Sequence, residues 1–239
     1  MIAVEAVPSV APRSRGVVDG LLTEPQSLVE AAQGADAARQ SALVRVLLLT
    51  ILGGTAAFGA AVGFYRGGAQ VLFAAVKLPL VVLLTAAAAT PALTALAVAL
   101  GRPAELRADL IRVLAALARG SLMLAAMAPL MLVATCIHLD YHSAVLLLVG
   151  CCVVAGAAGL PLLGRALWGQ AKGRVFLSAA MLVVVSLAGT HTAWLFRPYL
   201  VRPRTTSVPF VRALDGSFGD AVERSQRSAR GIYEEAPRE

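Results

Sequence analysis

The sequence predicts an all-α protein, a polytopic transmembrane bundle of five spans with interfacial amphipathic helices, and three observations carry that reading. First, five long stretches contain no charged residue: 46–65, 78–101, 120–139, 141–164 and 175–196, together 110 of 239 residues. A hydrocarbon core of about 30 Å needs about 20 apolar residues at helical rise, so each run is long enough to span. Second, 58% of the residues are hydrophobic and 15% charged, and the mean hydropathy is +0.76. Third, the runs are apolar all round rather than alternating, which excludes barrel strands; backbone in lipid must then be satisfied within helices.

The N-terminal stretch has no basic region before an early apolar run, so a cleaved leader is not expected. Thr23 is positioned to cap a surface helix over about 23–38, with Pro25 in its first turn. Span one is set at about 43–65, where Gly59 and Gly63 are spaced for a close helix contact. Span two is set at 78–100: Pro79 falls in its first turn, and Pro91, after Thr90, is expected to kink it. A second interfacial helix is expected near 103–117, ahead of span three at 120–138, which Pro129 is expected to bend.

Only His138-Leu139-Asp140-Tyr141-His142 separates span three from span four, 143–163, so the two form a tight antiparallel hairpin. Span four is rich in small residues, among them Gly150, Gly156 and Gly159, and is expected to be the most buried helix, with Gly156 and Gly159 as packing positions. Trp168 lies at headgroup level before span five, 175–196, which ends in the aromatic residues Trp194 and Phe196. A short helix near 218–230 is expected in the tail. The chain thus divides into an N-terminal tail with its amphipathic helix (1–40), a five-helix membrane domain (41–197) and a polar C-terminal tail (198–239).

Charge sets the expected orientation. Arg39, Arg45, Arg102, Arg107, Arg112, Arg119, Arg165, Lys172 and Arg174 share one side, against Arg66 and Lys77 in the loops of the other. The positive-inside rule then places the N-terminus in the cytoplasm, although Arg197, Arg202, Arg204 and Arg212 of the tail fall outside. The same placement of basic residues at the ends of apolar runs, with no basic stripe, argues against nucleic acid as a partner of this +7 chain.

Few residues carry chemistry. His138, Asp140 and His142 are the one cluster with metal-capable side chains, but a spacing of two residues in a turn does not aim all three inward, and a polar hairpin turn is the favoured reading. Lys77, at the edge of span two, and His191 and Arg197, at the end of span five, are candidate contacts for a ligand or anion. Lys77 reads more simply as a lysine snorkelling to the headgroups. Cys136, Cys151 and Cys152 read as small buried apolar residues. There is no His-Glu-x-x-His, no Gly-x-Ser-x-Gly and no phosphate-cradling glycine loop, and the spans hold no Asp or Glu, so neither an enzyme nor a proton-coupled carrier is expected. No cofactor is expected. No internal repeat is evident, which disfavours an inverted-repeat transporter.

The segment Leu21-Leu22-Thr23-Glu24-Pro25 before an interfacial helix and five N-in spans resembles bacterial members of the Yip-type family of five-span membrane proteins. Lys77-Leu78-Pro79-Leu80 through Thr85 to Pro91, and Trp194-Leu195-Phe196-Arg197-Pro198 followed by Pro209-Phe210, are similar to segments of bacterial multi-span proteins. The resemblance covers about 20–212 and implies the architecture alone, since the Asp-Leu-Tyr-Gly-Pro segment of the eukaryotic members is absent. The expectation is a non-enzymatic scaffold or accessory subunit of a bacterial cytoplasmic (inner) membrane. Its partners would be the lipid bilayer and other membrane protein subunits, further copies of itself included. The competing expectation is a channel or carrier for a small anion or lipid.

Overall fold

A computed structural model describes residues 16–33, 35–99, 101, 103–166, 174–201 and 210. Seven helices and no strand occur among them: α1 Val17–Thr23, α2 Pro25–Gln33, α3 Ala37–Gly63, α4 Ala69–Ala99, α5 Leu106–Cys136, α6 Tyr141–Ala166 and α7 Arg174–Leu195. The helices α3 to α6 are long and apolar enough to cross a membrane, and α7 contributes the shorter apolar stretch Ala179–Leu195. The all-helical, multi-pass expectation agrees with this architecture. The expected headgroup position of Trp168 and the tail helix near 218–230 lie outside the described residues.

The long helices overrun the charge-free runs. α3 starts at Ala37, where Asp36 caps it by accepting the Arg39 N–H at 2.9 Å. α4 starts at Ala69, so Pro79 is interior rather than in the first turn, and the helix continues unbroken through Pro79 and Pro91. Thr90 Oγ1 donates to the Ala86 carbonyl at 2.7 Å, one position short of the carbonyl that Pro91 frees. Charged residues mark where a helix leaves hydrocarbon; they do not end it, because Arg and Lys are good helix formers.

Two expected surface helices are corrected. Thr23 does not cap a helix over 23–38: it ends α1, its hydroxyl donating to the Asp19 carbonyl at 2.9 Å, and a new helix, α2, begins at Pro25. The stretch 103–117 is not a separate interfacial helix but the first part of α5, where Ile111, Val113, Leu114, Ala115 and Ala116 are buried. No breaker follows Pro103, and α5 has neighbours on several sides: it packs on α3, α4 and α6, and α1 and α2 lie against its beginning. Leu21 of α1 and Val29 of α2 join the same apolar cluster as Leu47, Ile111 and Leu162.

The long helices form a closed ring, α3–α4–α7–α6–α5 and back to α3, with α4 also touching α5. The short connections 64–68 and 137–140 make α3/α4 and α5/α6 antiparallel pairs. One end of the ring, here the first end, carries α1, α2, the start of α3 and the start of α5; Arg107 fastens it by donating to the Ala37 carbonyl at 3.1 Å and Ser41 Oγ at 3.2 Å. The other, second end carries the two short connections and the residues after α7. There Tyr65 donates its hydroxyl to the Leu139 carbonyl at 2.9 Å.

Glycines set the seams of α3. A Cβ on Gly59 would overlap the Ala74 backbone of α4, one on Gly63 would lie 2.5 Å from Val71 Cα, and one on Gly54 would lie 2.6 Å from the Ser121 carbonyl oxygen of α5. Of Gly150, Gly156 and Gly159 on α6, Gly159 alone has such a role, against the Ala116 backbone; a Cβ on Gly156 would meet nothing but Leu160 of its own helix, and Gly150 faces open space. α6 is therefore not the most buried helix. It is the least buried of the four candidate spans, with 22% of its apolar window buried against 44% in α3. Its small residues point outward as often as inward, since in a membrane both directions are apolar.

Candidate functional site

The buried side chains that carry charge or an amide lie toward the two ends of the ring. At the second end α4 contributes Gln70 and Lys77, two helical turns apart on one face, and both are 0% exposed. Lys77 Nζ donates to the Pro198 carbonyl at 2.9 Å and Gln70 Nε2 to the Tyr199 carbonyl at 2.6 Å. Neither side chain reaches out of the bundle: the segment 197–201 doubles back after α7 and lies across α4 as a strap. Tyr199 donates its hydroxyl to the Ala193 carbonyl at 2.8 Å, and Leu200 and Val201 are buried. Phe210 stands edge-on to Phe73 with centroids 5.3 Å apart, and its ring faces Lys77 Nζ at 5.0 Å. The ammonium thus faces one carbonyl dipole and one ring quadrupole.

Burial pushes the Tyr199 phenol well above its ordinary value, with the nearby Cys152 thiol adding to the effect. Tyr65 is raised for the same first reason, then by Asp140 and Tyr141. Both hydroxyls act as neutral donors near pH 7.

The other two candidate contacts fall differently. Arg197 lies at the start of the strap with its guanidinium carbon 3.2 Å from the centroid of the Trp194 ring, so it shares the corner with Lys77. His191 is exposed on α7, away from that corner's buried groups. The structure brings Lys77 and Arg197 into one region and leaves His191 on the outer surface.

The 137–141 turn has a backbone explanation. His138 adopts a left-handed conformation, φ 54°, as the first residue beyond the α5 C-cap. Its N–H donates to the Thr135 carbonyl at 3.1 Å, and that of Leu139 to the Ala134 carbonyl at 3.0 Å, the paired bonds of a Schellman motif. Asp140 then caps α6, Oδ2 accepting the Ser143 N–H at 3.0 Å. Hydrogen bonds from Ser143 hold its carboxyl below the usual carboxylate range. Among the described residues no three His, Cys, Asp or Glu side chains are arranged to hold a metal.

The first end holds a constellation that sequence reasoning missed. Asp109, 0% exposed, accepts from Arg112 Nη1 at 2.5 Å through Oδ1 and from Thr94 Oγ1 of α4 at 2.9 Å through Oδ2. Asp109 lies on the part of α5 that precedes the charge-free run 120–139, so the spans expected from the sequence hold no Asp or Glu, while the helix that carries one of them does. A spacing of three residues marks a helical pair, yet it reads equally as a solvated face. Gln70 was legible only as a solitary amide in an apolar stretch. The cysteines also differ from expectation: Cys151 is buried, but Cys136 and Cys152 are exposed.

No family model matches the chain, and neither a curated protein nor a solved structure matches it.

Proposed function

We propose that the chain is a non-enzymatic scaffold or accessory subunit with five spans, seated in a bacterial inner membrane with its N-terminus in the cytoplasm. One observation carries this reading: the two buried donors of α4, Lys77 and Gln70, are spent on backbone carbonyls of the strap that leads into the C-terminal tail. A bundle that commits buried polar groups to fixing the exit of its tail acts as a mount for that tail. Hydroxyls elsewhere in α3 and α4 bond back to their own helices, as Thr55, Thr85 and Thr90 do. As the fifth span, α7 has 22 residues, about 33 Å at helical rise. The Yip-type resemblance accords with the same architecture.

The test is affinity purification of the tagged protein from native membranes in mild detergent, with mass spectrometry of what co-elutes. A near-stoichiometric partner that is lost on deleting 202–239 supports the mount; a partner-free oligomer overturns it. Labelling of single cysteines in the tail and in the 64–68 turn from each side of intact cells tests the span count, since five spans put both on the outer side.

A second reading has one observation in its favour. The burial of Lys77 beside Arg197 suits a carrier for a small anion or lipid, and flux into liposomes that is abolished by Lys77→Met would establish it.

A further inference from the structure

The strap holds Lys77 and Gln70 without satisfying either. The Lys77 ammonium has three N–H donors, and among the described residues it meets one oxygen, the Pro198 carbonyl at 2.9 Å, and the Phe210 ring. Gln70 donates to the Tyr199 carbonyl at 2.6 Å, while its Oε1, also buried, has no hydrogen-bond partner. A buried cation facing a neutral carbonyl is undercompensated: charge-assisted bonds to anionic oxygens are about twice as strong as neutral ones. Two adjacent strap carbonyls therefore occupy the positions where the oxygens of an anion would be held more tightly.

We propose that the strap is an intramolecular occupant of an anion site formed by Lys77 and Gln70, and that a phosphomonoester competes with it. The orphan Oε1 selects that class. An anion with acceptor oxygens alone leaves Oε1 unmet, whereas a monoester that keeps one P–OH offers acceptors to Lys77 Nζ and Gln70 Nε2 and a donor to Oε1. The site lies about 12 Å along α4 from its first residue, at the end of the bundle where headgroups are met. The phosphate of a lipid headgroup and free phosphate share this chemistry. Displacement frees Pro198 and Tyr199, and with them the beginning of the tail. The proposal concerns the occupant of the mount and not its partner, so a failed co-purification leaves it standing.

The test uses the full chain carrying Val201→Cys, with Cys136, Cys151 and Cys152 changed to Ala, in vesicles of phosphatidylcholine alone or doped with phosphatidic acid or phosphatidylmethanol. The readout is the rate of labelling by an impermeant maleimide. Buried Val201 is expected to label slowly in phosphatidylcholine and at least about five times faster with phosphatidic acid. Phosphatidylmethanol, a diester whose headgroup has no hydroxyl donor, is expected to leave the rate unchanged. Acceleration by inorganic phosphate over phosphatidylcholine vesicles assigns the site to a soluble ligand, and its absence assigns it to the lipid. Lys77→Gln is expected to remove the response, and Gln70→Leu, which keeps the cation, to equalise the two anionic lipids. An identical rate under every condition overturns the proposal. So does a response that survives Lys77→Gln, or equal acceleration by the diester in the parent chain.

Discussion

At the first end of the bundle a carboxylate and a guanidinium three residues apart on α5 are buried together, and Thr94 of the neighbouring helix completes the carboxylate. At the second end an ammonium on α4 is buried against a carbonyl of the chain's own strap and the face of Phe210. In the first arrangement the two charges pair within one helix, and Thr94 ties that pair to α4. The second is open, because its partner oxygens belong to a segment outside the ring that can leave. Buried charge at the first end locks the fold, whereas at the second it sets where the tail begins.

Breaking the Asp109–Arg112 pair should have the largest effect. Asp109→Ala leaves Arg112 buried without its carboxylate, and about 3 kcal/mol of stability is expected to be lost. Replacing both, Asp109→Leu with Arg112→Met, is expected to restore most of it. Thermal unfolding in detergent checks both; a double variant as damaged as the single one would show that the charges do more than pair with each other.

Next comes the glycine seam beside the open site. Gly63→Leu drives a side chain into the Gln70–Val71 backbone, and a loss of about 2 kcal/mol is expected from overpacking. Gly156→Leu on α6, where there is room, is expected to be neutral by the same measurement.

At the strap, Gln70→Leu removes one hydrogen bond at an expected cost of about 1 kcal/mol. Alkaline pH acts on the same segment. The folded phenol of Tyr199 is raised, so its contribution is complete below the unfolded tyrosine value of about 10 and is lost as pH rises toward the folded one. Stability is expected to fall above about pH 10, and Tyr199→Phe is expected to flatten that fall.

The smallest effect belongs to the 137–141 turn. Asp140 is depressed, so its capping of α6 is complete above the unfolded aspartate value and is lost as pH drops through the lower folded one. Acid titration of the Asp140 carboxyl by NMR should place its midpoint below that of a free aspartate, and an unshifted midpoint would remove the cap.

Much of this was legible in the sequence, and what was not has identifiable causes. The charge-free runs located the long helices because lipid demands both length and apolarity. Their ends were not legible, since Arg39, Lys77 and Arg107 sit inside helices that continue past the charge-free runs. Burial along α6 was hidden because core and lipid select the same residues, so Gly150 and Gly159 look alike in sequence and differ in space. Lys77 stood out as a charge at the edge of an apolar run, but its partner lies 121 positions away and offers a backbone carbonyl, which no side-chain pattern records. His138 stood out as an imidazole, while its role is the left-handed residue that ends α5.

Hydrogen exchange with mass spectrometry on the full chain in nanodiscs tests the account most directly, comparing peptides over 196–201 and 106–116 in the parent and in Lys77→Met/Gln70→Leu. The expected result is a strap protected in the parent and exchanging freely in the variant, with 106–116 protected in both. Unchanged protection over 196–201 in the variant would contradict the claim that Lys77 and Gln70 hold the strap.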